Sequence, residues 1–306
     1  DDLLVGGAGD DSIDGGAGDD YIDLGTDMSK TDLISGGVGA DTLAFNHKSG
    51  STDILDRVSA VEAIKLENTS TDASITLVDT TIAAGDTLTV TTTSTQTFKL
   101  TFNASAEKDG KLNVTGAAGA DTITGGDLDD TIAGGKGADS LTGGSGDDVY
   151  LFDAGDIDSG EAIVESGGGG TDVISLDENV DFSLMTAASF DQIEQIRFAG
   201  SSKTGTFTGA QLTTETIALT ETGGGTNKLV VEVASGTTVD LSNLSNGTGW
   251  DNGTDTITIN GVDAGGEVIT GPNIHKTSIF GKSGNDNITG GSGNDTVNGG
   301  DGDDTM

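Results

Sequence analysis

A nine-residue unit, Gly-Gly-x-Gly-x-Asp-x-U-x with U a large apolar residue, recurs along the chain and limits it to folds made of stacked, similar turns. Eight copies carry all three glycines, the Asp and the apolar position; they begin at Gly6, Gly15, Gly36, Gly134, Gly143, Gly167, Gly290 and Gly299. Their aspartates are Asp11, Asp20, Asp41, Asp139, Asp148, Asp172, Asp295 and Asp304. Their apolar residues are Ile13, Ile22, Leu43, Leu141, Tyr150, Ile174, Val297 and Met306. Three copies lack one glycine, beginning at Gly116, Gly125 and Gly281 with Asp121, Asp130 and Asp286. From Leu24 to Ser35 the unit is stretched to twelve residues, with Asp32 and Ile34 still in register, so three residues should bulge from the turn. Asp2 belongs to a copy already under way at the first residue, and the last copy stops one residue short, so the repeat is expected to continue past both ends. A decayed copy places Thr277 at the Asp position and Ile279 at U, and no full metal site is expected there.

The residue types carry a physical meaning. Glycines permit backbone conformations that side chains forbid, so carbonyl oxygens can turn inward. The Asp supplies a carboxylate, and the last three positions form a short strand with U facing the core. Calcium takes about six to eight hard oxygen ligands, more than one turn offers but within reach of two stacked turns. Asp or Asn also recurs at the fifth position (Asp10, Asp19, Asp129, Asp147, Asp303, Asn285, Asn294), which reads as a solvent-side turn residue.

Composition narrows the partners. Against 51 acidic residues stand 13 basic ones, a formal charge of −38. That excludes a nucleic-acid partner, which needs a basic face, and attraction to anionic lipid. Acidic chains poor in aromatics are often disordered, but here the Asp falls at fixed intervals beside Gly and a regular apolar position. The 33% of apolar residues come singly or in short alternating runs, which suits a thin, repeated core. There is no Cys, and metal can staple an extracellular fold in place of disulfides. No apolar run approaches the roughly 18 residues of a membrane helix, so no membrane insertion is expected.

The repeats form blocks at 1–44, 112–152 and 271–306. Between them lie Thr-rich segments, 45–111 and 153–270, the second containing the isolated copy at 167–175. Both segments alternate polar and apolar residues, as in Ser74-Ile75-Thr76-Leu77-Val78, Phe98-Lys99-Leu100-Thr101-Phe102 and Thr256-Ile257-Thr258-Ile259, which predicts short strands with one buried face. Leu184–Ile196 is the best place for one short helix or turn before a strand. Val61-Glu62-Ala63-Ile64-Lys65-Leu66 matches Ile193-Glu194-Gln195-Ile196-Arg197-Phe198, so the chain looks like two imperfect copies of one larger module. The expected fold is all-β: a continuous, right-handed parallel β-roll or β-solenoid in which calcium-bound coils alternate with calcium-poor, Thr-rich ones. The other architecture open at this point is separate β-sandwiches strung between β-rolls.

The nonapeptide resembles the repeats of the RTX family of secreted bacterial proteins. The resemblance implies a parallel β-roll with two nonapeptides per coil and calcium between one motif and the next but one. It pairs Asp2 with Asp20, Asp11 with Asp32, Asp20 with Asp41, Asp121 with Asp139, Asp130 with Asp148 and Asp286 with Asp304. Asp172 stands alone, and its site requires another segment to cap it. Backbone carbonyls of the first four positions complete each implied site, those of Gly6, Gly15, Gly36, Gly116, Gly125, Gly134, Gly143, Gly290 and Gly299 among them. About six to ten calcium ions are implied.

No catalytic pattern emerges. His47 and His275, the only histidines, are far apart, and no His-Glu-x-x-His or Gly-x-Ser-x-Gly is present. Gly281-Lys282-Ser283 matches the end of a phosphate-binding loop, but Lys276 replaces its first glycine, so Lys282 reads as a tolerated substitution at motif position 2. The chain is not expected to be an enzyme. Through the family, the implied location is extracellular or on a bacterial cell surface after type I secretion. The mixture of repeat blocks and Thr-rich β-segments is most similar to RTX-type S-layer proteins. A large RTX adhesin or matrix fibre, and the calcium-folding part of a secreted enzyme or toxin, are the other readings. The implied partners are calcium, further copies of the chain in a lattice or fibre, and cell-surface polysaccharide.

Overall fold

Short alternating runs of Thr with Val, Ile and Leu favour strands whose apolar side chains share one face. The computed structural model bears this out and describes the chain except for residues 27, 48–51, 68–70, 93–96, 166–168, 214, 252 and 274–275. His275 and the first two glycines of the 167–175 motif thus lie outside the described residues. The chain divides into two compact units, Asp1–Tyr150 with Gly160–Gly170, and Leu151–Ser159 with Thr171–Met306.

In the first unit one parallel sheet takes its strands in chain order: Leu3–Val5, Tyr21–Asp23, Thr42–Phe45, Ala63–Leu66, Thr87–Thr91, Lys111–Thr115, Thr131–Ala133 and, through Tyr150, Val149–Phe152. A second parallel sheet holds Asp53–Ile54, Ala73–Thr76, Leu100–Asn103, Thr122–Thr124, Ser140–Thr142 and Ala162–Ile163. A third pairs Ser12–Ala17 with Leu33–Val38 and that with Val58–Ser59. The chain visits the sheets in turn, which makes each circuit a coil of a parallel solenoid. Register explains the repeat. Leu4, Ile22, Leu43, Ile64, Val90, Val114, Ile132 and Tyr150 stand opposite one another in succession. Ile64 and Val90 belong to the Thr-rich segment, so the apolar column passes from repeat to non-repeat coils without a break. All but Leu4 are buried, and each such burial contributes roughly 1.5–3 kcal/mol.

The second unit follows the same plan. One sheet contains Val173–Leu176, Gln195–Ala199, Ala218–Thr222 and Ser245–Asn246. Another contains Val180–Asp181, Thr204–Thr208, Lys228–Glu232, Thr256–Asn260, Thr277–Phe280 and Thr296–Asn298, and a third Thr238–Asp240, Val268–Thr270 and Asn287–Thr289. Phe207, Val231, Ile259, Ile279 and Val297 form one column. Phe182 stacks on Phe207 at 4.6 Å and meets Phe152 and Phe190 edge-on. The short helix expected within Leu184–Ile196 is a 3-10 turn, Ala187–Phe190, before the strand Gln195–Ala199. One helical turn, Gly209–Leu212, was not expected; a capping box between Thr208 and Gln211 starts it. The Gln211 amide nitrogen donates to the carbonyls of Phe182 and Met185 at 2.8 and 2.9 Å, satisfying a buried loop.

The apolar position is buried in most copies, but Met306 is 74% exposed.

Candidate metal centre

Stacking the coils in parallel register places motif aspartates beside the motif one coil away. The Asp2 N–H donates to Asp20 Oδ1 at 2.7 Å, Asp11 to Asp32 at 2.9 Å and Asp20 to Asp41 at 2.8 Å. Asp121 donates to Asp139 and Asp130 to Asp148, both at 2.7 Å, and Asp286 to Asp304 at 3.0 Å. Every pair implied by the resemblance is thus brought together. The decayed copy keeps its place in the ladder, because the Thr277 N–H donates to Asp295 Oδ1. Asp20, Asp32, Asp41, Asp121, Asp130, Asp139, Asp148, Asp172 and Asp286 are buried, whereas Asp11, Asp295 and Asp304 are half-buried and Asp2 is exposed.

The first glycine of each described copy faces its own Asp. At Gly15 a Cβ would overlap the carbonyl oxygen of Gly36 and come 2.5 Å from Asp20 Oδ2. Gly116 and Gly125 are similar: the carbonyls of Gly134 and Gly143, with Oδ2 of Asp121 and Asp130, fill the space. At Gly6, Gly36, Gly134, Gly143, Gly290 and Gly299 the Asp Oδ2 also lies within 3.0 Å of the Cβ position. The missing side chain leaves a small cradle, lined at Gly15, Gly116 and Gly125 by one carboxylate oxygen and one carbonyl oxygen from the next coil.

Whether a cation suits these cradles turns on the second carboxylate oxygen. In Asp11, Asp20, Asp41 and Asp286, Oδ2 is buried with no hydrogen-bond partner. An unpaired buried carboxylate oxygen is costly, and a hard oxygen-seeking cation removes the cost. Asp32, Asp121 and Asp130 differ: their Oδ2 accepts the N–H of Ser29, Ala117 and Gly126 respectively, at 2.7, 2.6 and 2.7 Å. In the stretched copy of Asp32 the N–H comes from Ser29 in the inserted turn, whereas for Asp121 and Asp130 position 2 accounts for the contrast. Gly7, Gly16, Gly37 and Lys282 are left-handed there, with φ of 83°, 93°, 115° and 75°, and their N–H groups do not reach the Asp. Ala117 and Gly126 are not left-handed, and their N–H groups turn onto it. Lys282 keeps the motif geometry despite a cost of roughly 1–2 kcal/mol for a side chain in this region.

The ladder extends past the motif aspartates through residues the sequence reading missed. The Asp41 N–H donates to Glu62 Oε2, Asp139 to Glu161 Oε2 and Asp172 to Glu194 Oε2, at 2.7–2.9 Å. Glu194 therefore caps the isolated Asp172. Glu267 continues the set: its N–H donates to Asp286 Oδ1, and its own Oε2 is buried without a partner. A signal existed, since Glu62, Glu161, Glu194 and Glu267 each stand two residues before a buried Ile, the spacing of Asp and U in the motif. Asn227 and Asp255 occupy equivalent rungs, Lys203 donating to Asn227 and Asn227 to Asp255 at 2.8 Å. Fifth-position residues lie on the exposed side, where Asp129 and Asn285 accept the N–H groups of Asp147 and Asp303 at 3.0 Å.

In the metal-free protein, burial pushes the carboxyls of Asp121 and Asp130 up to about 6 from their ordinary 3.8. The folded state then binds protons more tightly than the unfolded chain, so these groups stabilise the fold as pH falls through about 6 and stop doing so above it. In chelator, β-type circular dichroism should therefore be stronger near pH 5 than near pH 8. A signal that grows with pH over that window would contradict this.

Residues 1–27, 113–127, 124–156 and 277–306 match the model of the RTX calcium-binding nonapeptide repeat, in four copies. Comparison with curated proteins and with solved structures gave no match. No described helix is long and apolar enough to cross a membrane. Motif, parallel coils and matched model agree: the chain carries the calcium-binding nonapeptide repeats of the RTX family.

Proposed function

We propose that this chain is part of a secreted, calcium-dependent structural protein of the cell surface, of the S-layer type, in which calcium drives folding and self-assembly. One observation carries the reading: in the first unit, repeat coils and Thr-rich coils alternate along one parallel sheet with one unbroken apolar column. A module that only helps an enzyme to fold needs a single terminal repeat block, whereas an interleaved solenoid is a building material. The motif aspartates and the first-position glycine carbonyls hold the ions, about six to ten of them, and the Glu rungs extend the sites to the block edges. A formal charge of −38 sets copies against one another, and calcium on the exposed carboxylates removes that repulsion.

Electron microscopy with calcium and with chelator tests this. Two-dimensional sheets that disappear on chelation are expected. Filaments would favour a matrix fibre or adhesin instead, and monodisperse monomers at high calcium would refute assembly.

A further inference from the structure

A second kind of metal site lies in turns that contain no nonapeptide. The strand Ala73–Thr76 runs beside Leu100–Asn103 in parallel register, so the turns that follow them are neighbours on consecutive coils. The Gly85 N–H donates to the Asp109 carbonyl at 2.7 Å, and the Glu107 carbonyl accepts the N–H of Asp127 in the next turn at 3.0 Å. Within this stack, one side-chain oxygen each of Asp79, Glu107 and Asp109 lies within 4.8 Å of the others.

Glu107 marks the cluster as more than exposed acid. It is 0% exposed. Its Oε1 accepts the N–H groups of Lys108, Asp109 and Gly110 at 3.2, 3.4 and 3.1 Å, which fixes the carboxylate in place. Its Oε2 is buried and has no hydrogen-bond partner. Asp79 and Asp109 are exposed, and no Lys or Arg among the described residues pairs with any of the three. Burial raises the Glu107 carboxyl pKa, and the Asp79 charge raises it further. Three carboxylates so close, one with a buried unsatisfied oxygen, repel one another unless a cation joins them.

We propose that Asp79, Glu107 and Asp109 bind a calcium ion outside the nonapeptide pattern. The donors are all carboxylate oxygens, with no nitrogen or sulfur, which selects a hard divalent cation. The ion ties two irregular Thr-rich turns together, the second of which already accepts the Asp127 N–H of the repeat turn through the Glu107 carbonyl. This assignment is independent of lattice or fibre formation.

Native mass spectrometry of the whole chain in calcium counts the bound ions. The double variant Asp79→Asn/Asp109→Asn changes only exposed side chains and should keep its β-type circular dichroism while binding one calcium fewer than wild type. Glu107→Gln, which retains the oxygen that accepts the turn's N–H groups, should lose the same single ion. A wild-type ion count in the folded double variant overturns the proposal and assigns the cluster a shared proton instead.

Discussion

Removing calcium at neutral pH is expected to abolish the β-sheet circular dichroism of this chain, and restoring it to bring the signal back. The aspartates of the ladder are stacked one coil apart, several with a buried oxygen that no protein group satisfies. Without a cation each costs desolvation and repels its neighbours, while the glycine-rich turns add a large ordering entropy. Extracellular calcium modules bind at about 10⁻⁴ to 10⁻³ M. With free calcium about ten times the dissociation constant, each site adds roughly 1.4 kcal/mol through binding the folded state alone. Six sites would supply about 8 kcal/mol, the order of a whole domain's stability. The expected titration is cooperative, since an ion held by the proposed sites would bridge two coils and prepare the next site. A chain fully β-structured in chelator at pH 7 would refute this account. The same arithmetic fits a chain that stays unfolded where calcium is scarce and folds where it is abundant.

The second large effect concerns one methyl group. Gly36→Ala should destabilise the calcium-bound protein by about 3 kcal/mol, the upper part of the usual overpacking range, lowering its melting midpoint by roughly 6–12 °C. The new Cβ would overlap the Ala60 carbonyl oxygen and come 2.6 Å from both Cβ and Oδ2 of Asp41. Neither neighbour can yield: the Ala60 carbonyl belongs to the adjacent coil's backbone, and Asp41 is held by the Asp20 N–H. The methyl also fills the cradle, so calcium affinity should fall with stability. Gly7→Ala provides the comparison. Nothing lies within 4 Å of its Cβ position, although φ is +83°, so it carries only the roughly 1–2 kcal/mol conformational cost. Equal losses in the two variants would show that packing against the next coil is not what glycine serves at position 1.

Much of this was readable because the repeat encodes its own neighbours. Two nonapeptides make a coil, so counting eighteen residues forward from Asp121 or Asp130 finds its partner, as the bonds to Asp139 and Asp148 show. The bulge between Leu24 and Ser35 only lengthened the count, and Asp11 still meets Asp32. Asp172 was harder. Its partner, Glu194, sits beyond an irregular loop, and a Glu at the Asp position was not sought. Gly209–Leu212 was missed because one turn of helix depends on a capping pair and on Gln211 reaching the Phe182 loop, neither of which has a periodic trace.

The nonapeptide that first limited the fold therefore determined the parallel coils, the apolar column and the register of the aspartates, because all three follow from spacing along the chain. Only the tertiary structure decided which carboxylate oxygens are open to a cation. In the copies of Asp20, Asp286, Asp121 and Asp130 that depends on whether position 2 is left-handed, as at Gly16 and Lys282, or turns its N–H onto the Asp, as at Ala117 and Gly126. It also decided that Asp79, Glu107 and Asp109 meet, since their turns differ in length and become neighbours only once the strands before them pair.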